Sequence, residues 1–174
     1  MATVYDNLNP TEAETIKKRV EENSALMDDV VSGIIKPYCK DLDNYVVFIK
    51  ECLADGENPP TDAELDDFSL NLATYIYFAG GMCEQLGIRD DISKAVYKEM
   101  YHSKRSTIDK GTIADKDSLA ELESQQEYLV SVCYSRAYKT MKSKVENAQE
   151  LLSAVKKVLS RRMQEQELTR MGGN

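Results

Sequence analysis

Between Lys116 and Thr169 the chain runs for more than fifty residues without a proline or a glycine. A stretch lacking both has no backbone reason to leave an α-helix, and at 1.5 Å per residue an unbroken one reaches about 80 Å. A compact single domain does not need so long a helix, so it either bends at a point the sequence does not mark or pairs with another copy. Within it Tyr134, Tyr138, Met141, Val145, Ala148, Leu152, Val155, Leu159 and Met163 step by four and three, with one slip at the end. That is an a/d seam sustained over several turns. Upstream, Leu119, Leu122, Leu129 and Cys133 keep a different phase, which puts a stutter near residue 130. Tyr138, Met141, Val145, Leu152, Val155 and Leu159 are therefore the expected self-association surface. The alternative is packing against the chain's own earlier helices.

The rest of the chain is also helical in pattern. Asn9-Pro10 followed by Thr11-Glu12-Ala13-Glu14 is a start signal, with Asn9 or Thr11 as cap and Glu14 closing a capping box on Thr11. Apolar residues recur at helical spacing from Ile16 to Ile35, until Pro37 breaks or kinks the segment. A second helix is expected from about Tyr38 to Ala54, ending at Asp55-Gly56. Thr61 and Glu64 form another capping box and open a third, with Leu65, Phe68, Leu72 and Ile76 on one face. Gly80-Gly81 inside it suggests close approach by another helix, or a hinge, and Gly87 suggests its C-cap. Asp90-Asp91 starts a fourth helix, running to about Ser103, before a polar loop. The expected fold is all-α: an elongated bundle of about five helices, with an acidic part over 1–110 and a long amphipathic helix over 111–174, in one continuous unit.

Composition narrows the function. Apolar residues make up 42% and charged residues 30%, the balance of a folded, water-facing chain rather than a disordered tail. No apolar run approaches the roughly 18 to 20 residues that span a bilayer, and the N-terminus lacks a basic stretch followed by an apolar one. The expectation is a cytoplasmic protein with no membrane partner. Cys39, Cys52, Cys83 and Cys133 are scattered and His102 is the sole histidine, which argues against a zinc site and a disulfide framework. There is no glycine-rich phosphate loop and no nucleophile elbow. Adjacent acids such as Asp28-Asp29 point to different parts of a helix surface and read as caps and wet faces. Neither an enzyme nor a cofactor is expected.

Charge is divided along the chain. From Ser131 to the end nine Lys and Arg face four Glu, while the whole chain carries −8. At 100° per residue Arg136, Lys139, Lys157 and Arg161 fall opposite the apolar seam, a basic stripe suited to phosphates or to an acidic partner, or an ordinary solvated face. Tyr128, Tyr134 and Tyr138 lie near it, as stacking residues or as core.

Two resemblances bear on function. The segment ADKDSLAELESQQEYLVSVCYSRAYKTMKSKVENAQELLSAVKKVLSRRMQEQELTR, Ala114 to Arg170, is similar in layout to UvsY-like recombination mediators of tailed phages. It has a turn rich in Asp and Lys, a helix, then a basic amphipathic helix with an Arg-rich end. That resemblance implies binding of single-stranded DNA through Arg136, Lys139, Lys157 and Arg161, with oligomerisation through the seam. The acidic, all-helical chain without catalytic groups also resembles the phage anti-CRISPR inhibitors of type II RNA-guided nucleases. This resemblance implies a nuclease or its guide complex as partner, with Asp62, Glu64, Asp66 and Asp67 standing in for phosphates against a basic channel. The leading expectation is such a phage-encoded inhibitor, which would block DNA binding or cleavage. The mediator is the second expectation and a structural coiled-coil adaptor the third.

Overall fold

Thr61 sets the start of a helix of 46 residues. Its hydroxyl accepts from the Glu64 amide at 3.3 Å, and its own amide donates to Glu64 Oε2 at 2.7 Å, a complete capping box. Just before it, Asp55 Oδ1 accepts from the amides of Glu57 and Asn58 at 3.0 and 3.2 Å, which turns the chain sharply. The computed structural model describes residues 10–172, and in these it holds four helices and no strand. They are α1 (Pro10–Ala54), α2 (Asp62–Thr107), α3 (Ile113–Glu123) and α4 (Gln125–Gly172). None is long and apolar enough to cross a membrane.

The fold is all-α as expected, with four helices in place of about five because two expected boundaries are absorbed and the long C-terminal helix is divided once. Pro37 lies inside α1. It removes one hydrogen bond and crowds the carbonyl of Gly33, a cost of about 3 kcal/mol in a helix interior. Val31 and Ile35 before it, with Cys39 and Leu42 after it, are buried on one face, and that shared face carries the helix through. Pro10 is the first helical residue, so Thr11 sits inside α1 rather than capping it. The Asn9 cap lies outside the described residues.

The close approach expected at Gly80-Gly81 falls at Gly87 instead, and neither position ends a helix. Gly87 is mid-helix in α2 and is the point of close approach, since a β-carbon there would stand 3.3 Å from the Tyr138 ring of α4. Gly80 and Gly81 have nothing within 4 Å of such a carbon. Asp90 does not begin a helix either. It is buried within α2 and takes a 2.6 Å ion pair from Lys94, one turn on.

The long C-terminal helix is interrupted once. Ser124, fully buried, leaves helical backbone geometry at φ −107° and ψ 15° and divides α3 from α4, and its hydroxyl donates to the Ala120 carbonyl at 2.7 Å alongside its own amide. A second capping box, Thr112 with Asp115, starts α3. Gly111 before it has φ +115°, a conformation that L side chains rarely adopt.

Side-chain pairs fix the topology. Tyr45 packs at a tilt against Tyr75 and Phe48 edge-on to Phe68, with centroids 5.0 and 5.7 Å apart, so α1 and α2 are antiparallel. Arg162 donates to the Pro60 carbonyl at 2.6 Å, and Lys144 reaches both Asp43 oxygens at 2.7 and 2.8 Å, so α4 is antiparallel to α2 and parallel to α1. The core lies between them: Leu65, Leu72 and Leu86 from α2, Ile35 and Ile49 from α1, Met141 and Val155 from α4. The core residues of α4 thus pack with those of α1 and α2, and the described acidic and basic parts share one bundle. N-terminal to Val31 no described side chain of α1 is buried.

Candidate functional site

The expected self-association seam faces inward. Met141 and Val155 are buried in the core, and Tyr138, Val145, Leu152 and Leu159 pack half-buried against it. The seam's apolar surface is covered by the chain's own α1 and α2, the packing alternative. An a/d pattern records that a helix is covered along one stripe, not whose helix covers it.

The acidic quartet separates into two pairs. Asp62 accepts from Gln166 at 2.9 Å and from Arg162 at 3.4 Å, tying the end of α4 to the start of α2. Glu64 is held in the Thr61 capping box, whose donors keep its carboxyl below the ordinary value. Asp66 and Asp67 are exposed.

The basic stripe is exposed along its length but divided. Arg136 and Lys139 lie on one side of Glu146 and Glu150, Lys157 and Arg161 on the other, and Arg161 pairs with Glu165 at 3.2 Å. Two carboxylates in the middle would repel a phosphate backbone laid along it. Lys142 stands close enough to the buried Cys83 of α2 to oppose the upward push that burial gives that thiol. The first half of the stripe therefore borders α2.

A second cluster lies where the end of α2, α3 and the start of α4 converge. The Tyr97 ring sits 5.4 Å from Tyr128 and 6.4 Å from Tyr101, and Tyr101 packs edge-on to His102 at 5.4 Å. The Tyr101 hydroxyl donates to Asp117 Oδ1 at 3.2 Å, and Arg105 pairs with the same oxygen. Arg105 holds the Asp117 carboxyl below its usual range, while burial, helped by Asp117, pushes the Tyr101 phenol up. Lys104 reaches Glu123 at 3.5 Å. These contacts fasten α3 to α2 and so fix the rings.

What remains outward is a row of polar side chains on α2, of which Lys94 is paired with Asp90, and an open ring on α4. Lys94, Lys98 and His102 follow one another at four-residue spacing on one side of α2 and are exposed. Tyr128 keeps 49% of its surface open, with Tyr97 behind it. No family model, curated protein or solved structure matches the chain. The residues of this cluster therefore rest on their geometry alone.

Sequence reading singles out Tyr128 and Lys139 and weighs His102 only as a metal or catalytic residue, but passes over Tyr97 and Lys98 and takes Tyr101 as core. Their signal is legible in YKEMYHSKR, residues 97–105, where aromatic and basic residues alternate. Taken locally it is only the end of a helix, because nothing nearby in sequence shows that α4 returns to place Tyr128 beside Tyr97.

Proposed function

We propose that the chain is a non-enzymatic protein that binds single-stranded nucleic acid at the end formed by α2, α3 and α4. The observation that carries this reading is the Tyr128 ring, half open and supported by Tyr97, with Lys98 and His102 exposed on the same stretch of α2 as Tyr97. Base stacking on an aromatic side chain contributes about 1–3 kcal/mol per base and needs an unstacked strand. Lysines at intervals follow the phosphates, and Lys139 and Lys142 extend the positive surface along α4. This agrees with the mediator expectation in ligand class, while moving the contacts from the far half of the α4 stripe to α2. The inhibitor expectation draws on the acidic quartet and keeps Asp66 and Asp67 for a partner, since Asp62 and Glu64 have internal ones.

Fluorescence anisotropy of a labelled oligothymidylate with the full chain tests the reading. Affinity should fall as salt rises. Tyr128→Ala should weaken binding on the order of tenfold, and Lys98→Ala should reduce the salt slope by about one. Absence of salt-sensitive binding, or binding unchanged in both variants, overturns it.

A further inference from the structure

The unpaired half of α1 and an open groove on the same molecule have matching chemistry. Ile16, Val20 and Met27 continue, in phase, the stripe that Val31 and Ile34 turn to the core. Yet Ile16 and Val20 are 44% and 58% exposed, because among the described residues no hydrophobic side chain of α1 before Met27 packs against the core. An isolated helical segment of about 20 residues is marginal in water without a covered face.

The groove lies between α2 and α4, beyond the point where Tyr38 of α1 touches Arg89. Its volume is about 530 Å³, and Ile92, Val96, Val130 and Tyr134 give it an apolar lining. Ile92, Val96 and Val130 are exposed. Glu127 is part of its wall, and one carboxylate oxygen there is shielded from solvent without any hydrogen-bond partner. A buried carboxylate oxygen left in that state is costly, and a cation arriving with a docking helix would relieve it. On the unpaired half of α1, Lys17 and Lys18 are engaged with Glu21 and Glu22, whereas Arg19 forms no ion pair among the described residues and borders the Ile16–Val20 stripe.

We propose that the groove receives the N-terminal half of α1 from a second copy of this chain, with Arg19 of one copy on Glu127 of the other. The chain's own α1 leaves both its N-terminal stripe and the groove exposed, so a two-fold pair satisfies both surfaces reciprocally. The contact is independent of nucleic-acid binding and does not rest on that reading.

Sedimentation velocity on the full chain and its charge-reversal variants is the test. The wild-type chain should be dimeric by about 100 µM, and Arg19→Glu or Glu127→Arg alone should weaken the dimer on the order of tenfold or more. Mixing the two variants should restore it. In a mixed pair one contact keeps the native Arg19 against Glu127, and the other brings the two reversed charges together, which again attract. A chain that stays monomeric at about 100 µM overturns the proposal, whether its own α1 folds back or the groove takes another occupant. Single variants that dimerise like wild type, or a mixture that gains nothing, overturn it equally.

Discussion

A β-carbon on Gly87 would stand 3.3 Å from Cε2 of Tyr138, so the Tyr138 ring of α4 lies close against α2 where α2 has no side chain. Replacing a mid-helix glycine by alanine ordinarily gains about 1 kcal/mol of helix stability. Gly81→Ala, with open space around the new carbon, should therefore raise stability by about 0.5–1 kcal/mol. Gly87→Ala must displace the Tyr138 ring and should gain less, and Gly87→Leu should lose about 1–3 kcal/mol through overpacking. Urea midpoints of the three variants would decide the matter. Equal gains at Gly81 and Gly87 would show that the close approach is not a constraint.

Met141 is fully buried among α1, α2 and α4 of one chain. Met141→Ala should cost about 2–5 kcal/mol through lost burial and the cavity left behind. The loss should appear as a lower urea midpoint at every protein concentration, with no change in the distribution of oligomers. A seam that joined two copies would behave in the opposite way: dilution would mimic the mutation.

Cys39 is buried and donates to Asp43 Oδ2 at 3.2 Å. Burial first, then the Asp43 carboxylate, pushes its thiol up to about 11. At pH 8 only about one part in a thousand is the reactive thiolate, even before access is considered. Cys83 is also buried and raised, while Cys52 and Cys133 are partly open. Titration of the native protein with a chromogenic disulfide should show two fast thiols and two protected ones, and all four should react in urea. A fast Cys39 would mean that the α1–α4 contact opens readily.

Much of the fold was legible because its signals are local. The Thr61–Glu64 box, the Asp55 turn and the apolar stripe of α2 need only neighbours within one helical turn, and each stands where the sequence places it. Boundaries failed where a tertiary contact outweighs a local preference. Pro37 is carried by the buried face on either side, and Gly87 by the ring of a residue 51 positions later. The candidate site was harder to read for the same reason. Tyr97 and Tyr128 become neighbours only when α4 folds back along α2, and the α4 stripe looked continuous only while Glu146 and Glu150 were left out of its face.

The attachment of α3 should be the part of the fold most sensitive to acid. Asp117 is held low by Arg105, and Asp115 by the amide and hydroxyl of Thr112. A carboxyl whose folded value is depressed contributes stability above its unfolded value, near 3.8 for an aspartate, and loses it as pH falls through the folded value. Stability from these two groups is thus fully present at neutral pH and declines below about pH 4. Both groups lie at the surface, so added salt should weaken the Asp117–Arg105 contribution. The tyrosine cluster reports on the event directly, because Tyr101 donates to Asp117 and touches Tyr97. On acid titration the near-ultraviolet dichroism of the tyrosines should fade before the far-ultraviolet helix signal falls. Asp117→Asn should remove most of the early step. Two signals that fade together, in wild type and variant alike, would mean that α3 is not released ahead of the bundle.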